Sequence, residues 1–176
     1  MALIVTLAAC GSAEHSPEEG GRFFAIGTEK LDRGDFAGAI AAFTRALEED
    51  PTLERAYNNR GLARAGLGDL KGAISDYDLC LALPHPFAEA FYNRGVARFQ
   101  SGLTSEAILD FSQAITLNSS YARAYAGRGL VFARSGNPDG ARADFKKALE
   151  VAGPDWPERP RVEAELRNVD SPKEGR

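Results

Sequence analysis

Four glycines, Gly27, Gly61, Gly95 and Gly129, stand 34 residues apart, and Gly34, Gly68, Gly102 and Gly136 keep the same step. Ala39, Ala73, Ala107 and Ala141 form a third column, and Phe43, Tyr77, Phe111 and Phe145 a fourth. Ala46, Cys80, Ala114 and Ala148 make a fifth. Five columns held in register over four copies, with no insertion, define a repeat array. In such an array each unit buries its apolar face against its neighbours, so the fold is a stack of small identical motifs.

The periodicity inside one copy says what the motif is. Between Phe23 and Leu31 apolar residues fall at helical spacing, and Gly34-Asp35 breaks the run. Phe36 to Leu47 is a second amphipathic run, closed by Asp50-Pro51. Each repeat is therefore predicted to be a helical hairpin. Alanine, the best helix former, is the commonest residue. A glycine inside each first helix costs about 1 kcal/mol against Ala, which makes sense if a neighbouring side chain occupies the space. Trp156 to Asn168 reads as a ninth helix, with Val162, Leu166 and Val169 as its apolar stripe and Pro157 and Pro160 in its first turn. A solenoid needs such a polar-backed cap on its last apolar face.

The columns, and above all the stretch Ala90-Phe91-Tyr92-Asn93-Arg94-Gly95-Val96-Ala97, resemble the tetratricopeptide repeat (TPR) family over residues 20–155. Phe23, Tyr57, Phe91 and Tyr125 fill the family's early Trp column, and Pro51 keeps its closing proline. The resemblance implies an all-α solenoid of four hairpins in a right-handed superhelix, with repeats at 20–53, 54–87, 88–121 and 122–155. A capping helix is expected at 156–169, and residues 170–176 are expected to fray.

Ahead of the repeats, Met1 to Cys10 is apolar, then small, then cysteine. Leu7-Ala8-Ala9-Cys10 resembles the lipobox that ends a bacterial lipoprotein signal peptide. That resemblance implies a signal peptide over 1–9, lipidation at Cys10 and a polar tether over 10–19. Gly11, rather than Asp, follows the cysteine, so the expected address is the outer membrane, periplasmic side, if the host has one. Only nine residues precede Cys10 and none is Lys or Arg, so a true start upstream of Met1 is expected. The alternative is a cytosolic scaffold with a mis-assigned start, its apolar N-terminus docked on the first helix.

Charge and composition narrow the function. The net charge is −4, which argues against nucleic acid as the partner. Two Cys and two His supply neither a disulfide framework nor a metal cluster. His15 and His85 read as solvated loop residues, and Cys80 as a small packing residue in an alanine column. No catalytic residue, cofactor or metal is expected, and the protein reads as non-enzymatic.

Two sets of polar residues remain. Arg60, Arg94 and Arg128 recur in the first helices of three repeats, and Asp76, Asp110 and Asp144 in the second helices of the same three. The first repeat has Ile26 and Ala42 and lacks both. This co-occurrence points to structural Arg–Asp pairs joining the helices of one hairpin, against the alternative of a basic ligand-binding stripe. The family resemblance places a peptide-binding groove on the inner face of the first helices. The matching residues are Arg55, Asn58, Asn59, Tyr92, Asn93, Val96, Phe99, Arg123 and Leu130. Asn59 and Asn93 are expected to meet a peptide backbone, and Arg123, with Arg55 and Arg134, an acidic group. The Lys and Arg set of TPR domains that clamp chaperone tails is missing, since Phe24 and Glu89 stand where Lys is expected. The expected role is a lipid-anchored scaffold or adaptor for a protein or peptide partner.

Overall fold

A computed structural model describes residues 16–171. Among these residues nine helices follow one another with no strand: α1 (Pro17–Asp32), α2 (Phe36–Glu49), α3 (Glu54–Gly66), α4 (Leu70–Ala82), α5 (Ala88–Gln100), α6 (Thr104–Leu117), α7 (Ala122–Arg134), α8 (Pro138–Val151) and α9 (Arg159–Asp170). The first eight pair as four hairpins, and the hairpins stack in chain order. The result is the solenoid that the period predicts.

The two glycine columns have different causes. Gly34, Gly68, Gly102 and Gly136 all have φ between +74° and +82°, the left-handed region that only glycine enters without strain. At the first of these turns Asp35 N–H donates to Lys30 O at 2.9 Å, which closes the end of α1. The other column lies against the aromatic column. A Cβ built on Gly27, Gly61, Gly95 or Gly129 would fall 2.6–3.0 Å from the ring of Phe43, Tyr77, Phe111 or Phe145. Those four rings and the two alanine-rich columns of the second helices are buried, together with first-helix residues such as Ala56, Ala90 and Ala124. Close approach of the two helices explains why the glycine is kept despite its cost.

Each hairpin also needs its second helix capped. Asp35, Asp69 and Asn137 do this, accepting from the backbone N–H of Gly38, Gly72 and Gly140 at 2.9–3.0 Å. Leu103 takes this place before α6, with nearly the same backbone angles and no capping side chain. A side chain at Gly38 or Gly72 would collide with the cap carboxylate, and the third repeat has Glu106 at that position. Leu103→Ser suits this site, because Ser followed three residues later by Glu forms a reciprocal capping box. We expect it to stabilise the protein by about 1 kcal/mol, read as a higher urea midpoint. Leu103→Asp should gain less, because Glu106 crowds the second oxygen.

Three boundaries differ from those predicted. Helix α1 starts at Pro17, capped by Ser16, so residues 16–19 of the expected tether are helix or its cap. The ninth helix starts at Arg159 rather than Trp156. Pro160 lies in its first turn, and Pro157 belongs to the turn before it. Arg159 also closes the end of α8: its Nη2 donates to Leu149 O at 2.8 Å and Ala152 O at 3.0 Å. At the other end, Asp170 is helical and accepts from Arg142 Nε at 2.6 Å, so it is not part of a frayed tail. The signal peptide, Cys10 and residues 172–176 lie outside the described residues. Among the described residues no helix is long and apolar enough to cross a membrane.

Cys80 sits at 0% exposure in the alanine column, and burial pushes its thiol up to about 11. In the native protein it should resist alkylation at pH 8, and it should react once urea unfolds the chain. The unfolded state releases the proton near pH 9 and the folded state near 11. Between those values the folded state holds more protons, so stability should fall as pH rises. A urea midpoint that stays flat from pH 9 to 11 would contradict this.

Candidate protein-binding groove

Consecutive first helices touch one another: α1 meets α3, α3 meets α5 and α5 meets α7. Among the described residues the second helices make no such contacts with each other. The stack therefore curves with its first helices on the inner, concave side. Helix α9 extends this row by packing on α7 as well as on α8, so the cap also forms one wall of the groove.

Behind the groove lies the Arg–Asp column, and the structure brings all three predicted pairs together. Arg60 donates to Asp76 through Nη2 at 2.7 Å and Nε at 3.0 Å. Arg94 does the same to Asp110, and Arg128 to Asp144. Both N–H groups of one guanidinium edge are used, the two-pronged geometry that Lys cannot make. Asp110 raises the Arg94 guanidinium, against its burial, and Asp144 raises that of Arg128.

Each Arg also reaches back to the second helix of the preceding hairpin. The acceptors are Thr44 Oγ1 at 3.2 Å, Asp78 Oδ1 at 2.6 Å and Ser112 Oγ at 2.9 Å. One side chain thus joins three helices and locks two repeats. The reach was missed from sequence, although these acceptors lie 16 residues before the Arg, just as the paired Asp lies 16 after it. Arg64 and Arg98, one turn further on, add second cations to Asp76 at 3.0 Å and Asp110 at 2.8 Å. The last repeat has Phe132 at this position, so among the described residues Asp144 has Arg128 as its one cation.

The amides correct an expectation. Asn58 is 2% and Asn93 9% exposed. Asn93 Nδ2 donates to Asn58 Oδ1 at 3.0 Å, and Asn58 Nδ2 donates to Asn59 Oδ1 at 3.1 Å. These side chains form a short ladder between α3 and α5. Asn58 and Asn93 are consumed in the seam and are not presented to a ligand. Asn59, half-buried, is the member that keeps its own amide N–H groups available among the described residues.

The C-terminal half of the groove is different. A cavity of about 230 Å³ lies between α5, α7 and α9, with Tyr92, Val96, Phe99, Leu130, Trp156 and Val162 among its walls. Four of these were expected in the groove, and Trp156 and Val162 come from the cap. At this level the lining carries the small Ala126, where the two preceding repeats have Asn58 and Tyr92, while the place of a Gly127 side chain is filled by the Phe111 ring. Tyr92 is held between Phe111 and Tyr121, with ring centroids 5.8 and 5.3 Å away. Burial raises its hydroxyl above the usual phenol range.

Arg123, expected to meet a ligand acid, already donates to Glu158 Oε1 at 2.8 Å. Arg134 lies over the Phe99 ring at 5.3 Å. Arg55 is exposed at the other end, away from the cavity. No group of three His, Cys, Asp or Glu among the described residues could hold a metal ion.

Comparison with known proteins agrees with this architecture. A tetratricopeptide repeat family model matches residues 24–84 and 92–157. The chain belongs to the TPR family. Two crystal structures of the protein MamA are similar to it. One is 29% identical, with 88% of this chain and 82% of that one covered at a TM-score of 0.76. The other is 30% identical, with 84% of each chain covered at 0.74. PilF of Pseudomonas aeruginosa shares the fold at 24% identity, covering 86% of this chain and 68% of that one, with a TM-score of 0.77. YrrB, described as a TPR protein with an unusual peptide-binding site, shares it at 20% identity, covering 93% and 82% with a TM-score of 0.72. No curated protein matches the chain.

Proposed function

We propose that this TPR solenoid is a non-enzymatic scaffold, held at the cell envelope by lipid on Cys10, that binds an extended segment of a partner protein along its concave face. The solenoid itself is the architecture of a protein–protein interaction scaffold. The observation that carries the finer reading is the row of five inner helices, which leaves an apolar-walled cavity at one end and the half-exposed Asn59 at the other. Arg60, Arg94 and Arg128 belong to the structure behind the groove, so binding rests on the inner columns. The same fold supports peptide binding in YrrB. The chaperone-tail mode is not proposed, because this groove lacks the clamp cations.

The anchor rests on the Leu7-Ala8-Ala9-Cys10 sequence alone. Several acyl chains hold a protein firmly at a bilayer where one does not. Metabolic labelling with a palmitate analogue, with a basic segment fused ahead of Met1, should tag the protein and lose the tag in Cys10→Ser. An untagged, soluble product would instead favour the cytosolic scaffold. Groove binding is tested by placing a photo-crosslinking residue at position 59. A partner adduct should form there and should be lost when Tyr92→Ala is added in a chain of unchanged helicity. A Tyr92→Ala variant that cross-links as before would move the site off the concave face.

A further inference from the structure

We infer that the cavity between α5, α7 and α9 is a single-residue pocket, and that its occupant is one uncharged, bulky apolar side chain of the bound segment. This rests on the groove-binding reading and specifies what the groove reads.

Two observations point to this chemistry. The first is size: a buried apolar cavity of about 150 Å³ already holds benzene, and this one is about 230 Å³. It admits a phenyl ring or a branched aliphatic chain and little more. Its location matters as much, because it occurs where Ala126 replaces the bulkier Asn58 and Tyr92 of the two preceding repeats.

The second is charge. Arg123, Glu158, Arg161 and Glu165 line the cavity, two cations against two carboxylates. Arg123 is already tied to Glu158. A rim that is balanced before the ligand arrives gives an ionic ligand no advantage, and a charged group would bear the desolvation cost of an apolar chamber.

The cap is more than an end-plate, since it supplies two walls of the pocket, Trp156 and Val162. A solenoid of the four hairpins alone would leave Tyr92 and Leu130 on an open face.

The test uses the full chain and its one tryptophan, Trp156, which lines the pocket and gives a single indole N–H signal in NMR. The probe is N-acetyl-L-phenylalaninamide, with N-acetyl-L-alaninamide and N-acetyl-L-phenylalanine beside it. A probe of this size, about 15 non-hydrogen atoms, should bind with Kd on the order of 1 mM. The phenylalaninamide should shift the Trp156 signal saturably, the alaninamide should not, and the carboxylate form should bind no more tightly than the amide. Ala126→Leu, checked for full helicity, should weaken the amide at least tenfold. Lys71→Ala, exposed on α4 and outside the groove, should leave it unchanged. No saturable shift with the phenylalaninamide overturns the pocket, as does an Ala126→Leu variant that binds it equally well. Tighter binding of the carboxylate form overturns the uncharged-ligand assignment. A position-59 adduct formed by a chain whose Trp156 signal ignores the probes would leave groove binding standing and remove the pocket.

Discussion

Arg128→Ala should be the most destabilising of the three arginine-to-alanine changes, by about 3–5 kcal/mol. Asp144 is 6% exposed and has Arg128 as its sole ionic partner among the described residues. Removing that partner strands a buried carboxylate, and the cost is mainly its lost solvation. Arg60→Ala and Arg94→Ala should cost less, because Arg64 and Arg98 remain on Asp76 and Asp110. The double variant Arg128→Ala, Asp144→Ala should be milder than Arg128→Ala alone, since no charge is left unpaired. Urea midpoints measured on the four variants decide the matter. Equal losses for the three single variants would mean that the second arginines carry no load.

The second large effect is steric. Gly61→Leu should cost about 3 kcal/mol, the upper end of what overpacking usually exacts. Even the Cβ would lie 2.7 Å from Tyr77 Cε1, and Tyr77 is 1% exposed and cannot swing aside. A loss of that size lowers the melting temperature by roughly 6–12 °C in a chain of this length. Two controls separate the causes. Gly68→Ala meets no neighbour but has φ of +82°, so it should cost about 1–2 kcal/mol through its backbone alone. Gly21→Ala, inside α1 with open space around it, should be neutral or stabilising by up to about 1 kcal/mol. Circular dichroism melts of the three order them directly.

The sequence carried the repeat almost completely, because glycine, alanine and aromatic columns are demanded by contacts that recur in every copy. The Arg–Asp pairs were legible for the same reason, through their joint absence from the first repeat. What was hidden lies where the period ends or where neighbouring positions differ by little. Asn58 and Asn59 are one residue apart, about 100° around α3, and that angle separates the buried seam from the half-exposed face. Column matching alone placed both in the groove. Trp156, Glu158 and Val162 belong to no column, so nothing in the period shows that the cap closes one side of a cavity. Arg123 looked available to a ligand because its partner, Glu158, lies on that same cap.

The three arginine links between repeats are not chemically equal, and this sets how the rod responds to load. Arg60 and Arg128 reach back to hydroxyls, whereas Arg94 reaches back to the carboxylate of Asp78, which Arg98 also approaches at 3.7 Å. The central junction is therefore the one whose strength is ionic, and it weakens with added salt while its neighbours do not. Pulled from both ends in dilute buffer, the rod should shed its terminal hairpins first and keep the middle pair longest. In concentrated salt that preference should fade, and the order of rupture should become indifferent to position.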